Sequence, residues 1–215
     1  MCGVSLRYRI VFLSNHKTAS TSVHQYLHDL GIIDLDLSQI KHPRMYRVPK
    51  HTRVQDVIAA RPDFSNFTFI VAVRNPIDRV VSMLNFNSDH APRNRPVNEA
   101  LRQVAFSDKH PMGYKYFQRF VYNADGSPAH PKMVVLKSET IAQTLPWLLR
   151  RLGVPVGILR RSSVGRANLS ETKGKCRSGV AKITKADLDE DLRRDIVRYF
   201  RHDAIHYPDL AGYLA

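Results

Sequence analysis

Three short apolar runs, each followed by a polar loop and then an amphipathic helical stripe, constrain this chain more than any other feature. The first is Tyr8–Ser14 (YRIVFLS), β-branched, long enough for a strand and too short for a helix. Val23, Tyr26, Leu27 and Leu30 follow at i, i+3, i+4 and i+7, one helical face that Gly31 stops. The second run, Phe67–Val73 (FTFIVAV), meets Arg74-Asn75-Pro76 and then Ile77, Val80, Val81 and Leu84 at helical spacing. Pro76 suits the first position of that helix, where a missing N–H costs nothing. The third, Met133–Leu136, precedes Ile141, Leu145, Leu148, Leu149 and Leu152, with Gly153 as the stop. Leu188, Leu192, Ile196, Tyr199 and Phe200 mark a C-terminal amphipathic helix. Unbroken apolar strands alternating with helices predict an α/β fold with a central parallel sheet flanked by helices.

No repeat, low-complexity tract or long linker interrupts the pattern, so residues 1–215 read as a single domain. With 43% apolar residues the chain can bury a full core without metal or disulfide staples. Residues 85–125 are polar and Pro-broken, and read as an irregular insertion over the sheet edge, a candidate acceptor-binding region. No run approaches the roughly 20 apolar residues that span a bilayer. The first residues hold no apolar stretch of signal-peptide length, and Cys2 and Cys176 share no motif, so a cytoplasmic, reducing setting is expected.

Charge narrows the partners. The net charge is +14, with 22 Arg against 11 Lys. The planar guanidinium suits phosphate, sulfate and carboxylate oxygens, so this excess points to an anionic partner or, more simply, to solubility. In a parallel sheet ligands bind where strands end and helices begin. Two loops sit at such points. Asn15-His16-Lys17-Thr18-Ala19-Ser20-Thr21-Ser22 places a lysine and four hydroxyl residues before a helix N-terminus, where backbone N–H groups and the helix dipole attract anions. A helix cap beside a solvated lysine is the plainer alternative. Arg74-Asn75-Pro76-Ile77-Asp78-Arg79-Val80-Val81-Ser82 ends a buried strand on a charge that needs a counter-charge; a structural carboxylate would serve as well as a ligand.

Together the two loops are far more specific. FLSNHKTASTSVHQYL resembles the 5′-phosphosulfate loop P-K-[ST]-[AG]-[GS]-T-S of the sulfotransferases that use 3′-phosphoadenosine 5′-phosphosulfate (PAPS). FTFIVAVRNPIDRVVSML is similar to their 3′-phosphate motif R-[ND]-P-x-x-R-x-x-S at every defining position. The nearest branch is the carbohydrate-directed one, of heparan-sulfate 2-O type and its bacterial relatives. Lys50-His51-Thr52 resembles its K-H-x-[TA] segment, VVLKSETIAQTLPWLLRRLG its R-x-E-x-L…LG strand-helix with Lys137 in place of arginine, and RRDIVRYFRHDAIHY its C-terminal Y-x-x-D helix. His16 stands where proline is usual and Ser20 where glycine is common, so a shifted backbone path is expected at Ser20, because serine does not readily take φ > 0.

The resemblance implies a P-loop-like sulfotransferase fold and an enzyme that moves the sulfuryl group of PAPS to a hydroxyl, on a carbohydrate acceptor, releasing 3′,5′-adenosine bisphosphate (PAP). It implies that Lys17 steadies charge on the leaving oxygen, that Thr18, Ala19, Ser20, Thr21 and Ser22 hold the 5′-phosphate, and that Arg74 and Ser82 grip the 3′-phosphate. Catalysis by positioning and positive charge needs no metal. His51 is the candidate general base and His42 the runner-up; either is otherwise a surface histidine. The run from Arg160 through Arg166 to Lys173, Lys175 and Arg177 reads as a basic loop for cofactor or acidic substrate, with Lys173 the residue assigned to cofactor, or else as a solvated face. Glu139 either orients Lys137 or forms an ion pair at a strand end. His24/His28 and His202/His206 have i, i+4 spacing, but no HExxH glutamate or third ligand accompanies them, so no zinc is expected.

Two other classes compete. A P-loop nucleotide kinase lacks support from the loop, which has no glycine and carries its lysine before the small residues. A nucleic-acid-binding protein rests on charge alone, without helix-turn-helix, zinc-finger or aromatic RNP signature, so no nucleic-acid partner is expected. The acceptor's identity is not encoded in these patterns, although the charge favours an acidic glycan.

Overall fold

The computed structural model describes residues 3–15, 18–40, 52–86, 98–99, 102, 106, 122–123, 125–164 and 183–214. They fall into two compact units, Met1–Val73 with Arg119–Ala167 and Arg74–Gln118 with Asn168–Ala215.

The first unit is α/β. Its five strands are β1 (Gly3–Ser5), β2 (Ile10–Leu13), β3 (Leu35–Asp36), β4 (Thr68–Val73) and β5 (Met133–Lys137), in the order β3-β1-β2-β4-β5. The expected parallel core is present: β2 pairs with β4 and β4 with β5, all parallel. The sheet as a whole is mixed, because β1 lies antiparallel to both β2 and β3. These two edge strands, three and two residues long, are too short to leave a periodic signal. The turn between β1 and β2 takes Tyr8 and Arg9 out of the expected strand, with Arg9 at φ 54°. Asp34 stabilises that turn by accepting from the Leu6 amide at 2.7 Å and the Ser5 hydroxyl at 3.3 Å. Gly3 meets a close approach: a Cβ there would overlap Ile33 Cδ1.

The helices of this unit are α1 (Ser20–Asp29), α2 (Val54–Ala60), α4 (Ile141–Arg151) and the single turn α5 (Val156–Leu159), whereas α3 (Pro76–Phe86) belongs to the second unit. Val23, Tyr26 and Leu27 of α1, with Ile141, Leu145, Leu148 and Leu149 of α4, form one core with Ile10, Phe12, Ile70, Ala72 and Leu136 of the sheet. The alternate residues Val11, Leu13, Phe69, Val71 and Val73 are buried too, which explains why these strands read as unbroken apolar runs. Full burial of each such Leu, Ile or Phe contributes roughly 1.5–3 kcal/mol. Helix α1 ends as expected, with Gly31 at φ 64°, and Gly153 follows α4 at φ 90°.

The second unit contains α3 (Pro76–Phe86), α6 (Glu190–Tyr199) and α7 (Arg201–Ala204). Pro76 is indeed the first residue of α3. Asp189 caps α6 by accepting from the Leu192 amide at 2.7 Å, so Leu188 of the expected stripe precedes the helix. Helix α3 packs on α6; Ile77, Val80 and Met83 are buried on the one, Leu192, Ile196 and Val197 on the other. Arg102 joins this unit through ion pairs to Asp195 and Asp189. Most of the irregular stretch 85–125 lies outside the described residues. Among the described residues no helix is long and apolar enough to cross a membrane.

Candidate functional site

Strands β2 and β4 are parallel neighbours, with Leu13 opposite Val71, so the chain leaves both at the same edge of the sheet. The first loop is tied down at once: Asn15, buried, donates from Nδ2 to the Ala72 carbonyl of β4 at 3.1 Å. Thr18 is fully buried and its hydroxyl donates back to the Asn15 carbonyl at 3.1 Å. Its proton therefore shapes the loop. Ala19 is the N-cap of α1 and adopts a left-handed conformation, φ 61° and ψ 16°. The strain anticipated at Ser20 sits one residue earlier; Ser20 itself is helical.

An alanine cap has consequences. The first amide of α1 to reach a helical acceptor is that of Val23, bonded to the Ala19 carbonyl at 3.1 Å. The amides of Ser20, Thr21 and Ser22 come before it, and no cap side chain accepts from them. No acidic residue stands in the first turn. Ser20 and Thr21 are half-buried and Ser22 is buried. Among the described residues the first turn of α1 thus carries no acid of its own against the positive end of the helix, a position suited to a phosphate or sulfate oxygen. Lys17 and His16 lie outside the described residues, as do His42, Lys50, His51 and Lys173. Thr52, beside His51, is buried, and its hydroxyl has no hydrogen-bond partner among the described residues.

The second loop is built differently. Asn75 is buried and its Oδ1 accepts from the amides of Ile77 and Asp78, at 3.0 and 3.4 Å. With Pro76 lacking an N–H, this cap satisfies the start of α3 from within. Arg79 is fully buried and donates from its guanidinium to Asp203 Oδ2 at 2.5 Å, 124 residues away, with its planar head 5.6 Å from the Phe200 ring centre. Burial pushes the Asp203 carboxyl above the ordinary aspartate range, and the Arg79 charge pulls against that rise. Arg74 and Ser82 are half-buried. Arg79, the second arginine of this loop, is therefore committed to folding, and its partner Asp203 lies in the short C-terminal helix α7. A buried arginine demands a carboxylate, and that was the signal by which the pair was open to discovery.

Lys137 closes β5 and Glu139 is exposed in the turn that follows. His24 is buried on α1 whereas His28 is exposed, so the two do not share a solvent face. Among the described residues no group of three or more His, Cys, Asp or Glu side chains is placed to hold a metal ion. No protein-family model matches the chain, and no curated protein matches it.

Proposed function

We propose that this chain is a PAPS-dependent sulfotransferase acting on a hydroxyl acceptor, of carbohydrate type, and that its α/β unit is a P-loop-like sulfotransferase fold. One observation carries the reading. The helix after β2 begins on an alanine in left-handed conformation, with no acidic residue in its first turn and with Ser20, Thr21 and Ser22 supplying its leading amides. An oxyanion fits that donor set, and the segment is the one that resembles the 5′-phosphosulfate loop. The R-N-P-x-x-R-x-x-S pattern adds support from the sequence, since a 3′-phosphate distinguishes PAPS from ATP.

The residues divide the work. The amides and hydroxyls at Ser20, Thr21 and Ser22 hold the 5′-phosphate, and Ala19 lets the backbone turn toward it. Thr18 holds the loop's shape through Asn15 and contributes its backbone rather than its hydroxyl proton. Lys17 offers a mobile ammonium to the oxygen that departs from sulfur, and His51 takes the acceptor's proton. Arg74 and Ser82 bind the 3′-phosphate. The net charge of +14 suits an acidic glycan as acceptor.

Thermal-shift titration tests the binding half: PAP raises the melting temperature by mass action, and adenosine does not. A radiolabelled transfer assay tests the chemistry. Lys17→Ala abolishes sulfate transfer while circular dichroism and melting remain those of the parent protein. Full turnover by that variant, or indifference of the parent protein to PAP, would refute the reading.

A further inference from the structure

Asp78, Ser82 and Asn85 stand at i, i+4 and i+7 on α3, one stripe of the helix. The segment that leads into α6 runs along this stripe in the opposite direction. Asn85 donates from Nδ2 to the Ile183 carbonyl at 2.8 Å, and the Ile183 amide donates to Asn85 Oδ1 at 3.0 Å. The carboxamide thus makes both hydrogen bonds by which one backbone residue pairs with another across an antiparallel bridge. Two residues on, Lys185 Nζ meets Asp78 Oδ2 at 2.9 Å. Just past Lys185, Asp187 turns back to accept from the Thr184 amide at 2.6 Å and from its hydroxyl at 2.8 Å, and the turn Lys185–Asp187 packs on α3.

Neither anchor is a strong stability device. Asparagine is a poor helix former, and an ion pair with Lys185 half-exposed contributes little. What the two anchors do together is set a register. They lay Ile183–Lys185 beside Ser82 and bring an ammonium to Asp78, one helical turn, roughly 6 Å, from the Ser82 position.

We propose that Lys185 is a further binding residue for the phosphate held at Ser82, and that Asn85 is the positioning residue that places it. The inference rests on the reading of Ser82 as a 3′-phosphate ligand. Without ligand, Asp78 holds the ammonium near the stripe. A phosphate dianion arriving at Ser82 offers Lys185 a stronger partner than a single carboxylate, and a short swing of a flexible side chain suffices.

Titration calorimetry on the full chain, with PAP and with adenosine 5′-phosphate as probes, separates the possibilities. In the parent protein PAP binds more tightly than adenosine 5′-phosphate. Lys185→Gln weakens PAP about tenfold and leaves adenosine 5′-phosphate unchanged. Asn85→Asp keeps the acceptor for the Ile183 amide but sets an oxygen against the Ile183 carbonyl, and produces the same selective loss. The Asn85→Asp/Lys185→Gln double variant loses no more than Lys185→Gln alone, because Asn85 acts through Lys185. A purely structural role would lower both affinities together, and that result overturns the proposal. So does unchanged discrimination in Lys185→Gln, or additive losses in the double variant. A parent protein that binds neither probe sinks the sulfotransferase reading itself, a result distinct from the others.

Discussion

The helices that follow β2 and β4 start from the same strand–loop–helix grammar and resolve it in opposite ways. At the start of α1 the cap is Ala19, left-handed and without an acceptor, and the first turn holds no acid. At the start of α3 the cap is Asn75, buried, accepting from Ile77 and Asp78, with an acidic residue in the first turn. The first start has no side-chain cap and no acid in its first turn; the second is closed by its own side chains and spends its arginine on Asp203. The contrast teaches that a cation at a strand-to-helix loop can be committed to the fold rather than left for a ligand. Arg79 holds α3 to the C-terminal segment through Asp203.

The comparison breaks most sharply at the buried pair. Asp203→Asn removes the carboxylate from an arginine that has no exposure to water, and costs about 3–5 kcal/mol in urea unfolding. Replacing both partners, as Arg79→Met with Asp203→Leu, costs much less, because no buried charge remains. If the single variant unfolds at the parent denaturant concentration, the pair does not hold this unit together.

The caps give the next effect, of opposite sign at the two starts. Asn75→Ala loses about 1–2 kcal/mol, since two amides of α3 lose their acceptor. Ala19→Gly gains about 0.5–1 kcal/mol, because glycine takes the left-handed conformation without a Cβ clash. Equal signs in thermal melts would erase the distinction between a closed start and an open one.

The smallest effect concerns the turn laid on α3. Hydrogen bonds from the Thr184 amide, then from its hydroxyl, hold the fully exposed Asp187 below the ordinary aspartate range. A lowered carboxyl contributes stability that is complete above its unfolded value and fades as pH falls through the lowered one. The Thr184 amide resonance therefore stays constant near neutrality and titrates only in acid, at a pH below that of an ordinary aspartate. A midpoint at or above the ordinary value would dissolve this clasp.

Much of the first unit was legible in the chain. Ile10–Leu13 and Thr68–Val73 are runs whose two faces are both covered, and such runs announce themselves without a partner; Met133–Leu136 is equally apolar although mostly half-buried at the sheet edge. Gly31 in this unit, and Pro76 in the second, mark helix boundaries by backbone chemistry that is purely local. Gly3–Ser5 and Leu35–Asp36 stayed hidden because a strand of two or three residues exists only through its neighbours. In the first loop the shifted backbone path expected at Ser20 falls instead on Ala19, since a motif records residue types and not dihedral angles.

The sequence by itself determined the α/β class, the positions of the two loops and the excess of positive charge, all properties of local spacing and composition. Tertiary structure alone decided that Arg79 faces Asp203, that Thr18 turns its hydroxyl inward, and that Asn85 and Asp78 seat residues 183–185 along α3. The reason is physical: periodicity encodes which face of an element is buried, whereas the partner of a buried charge or amide is chosen by whichever distant group the folded chain delivers within hydrogen-bond reach.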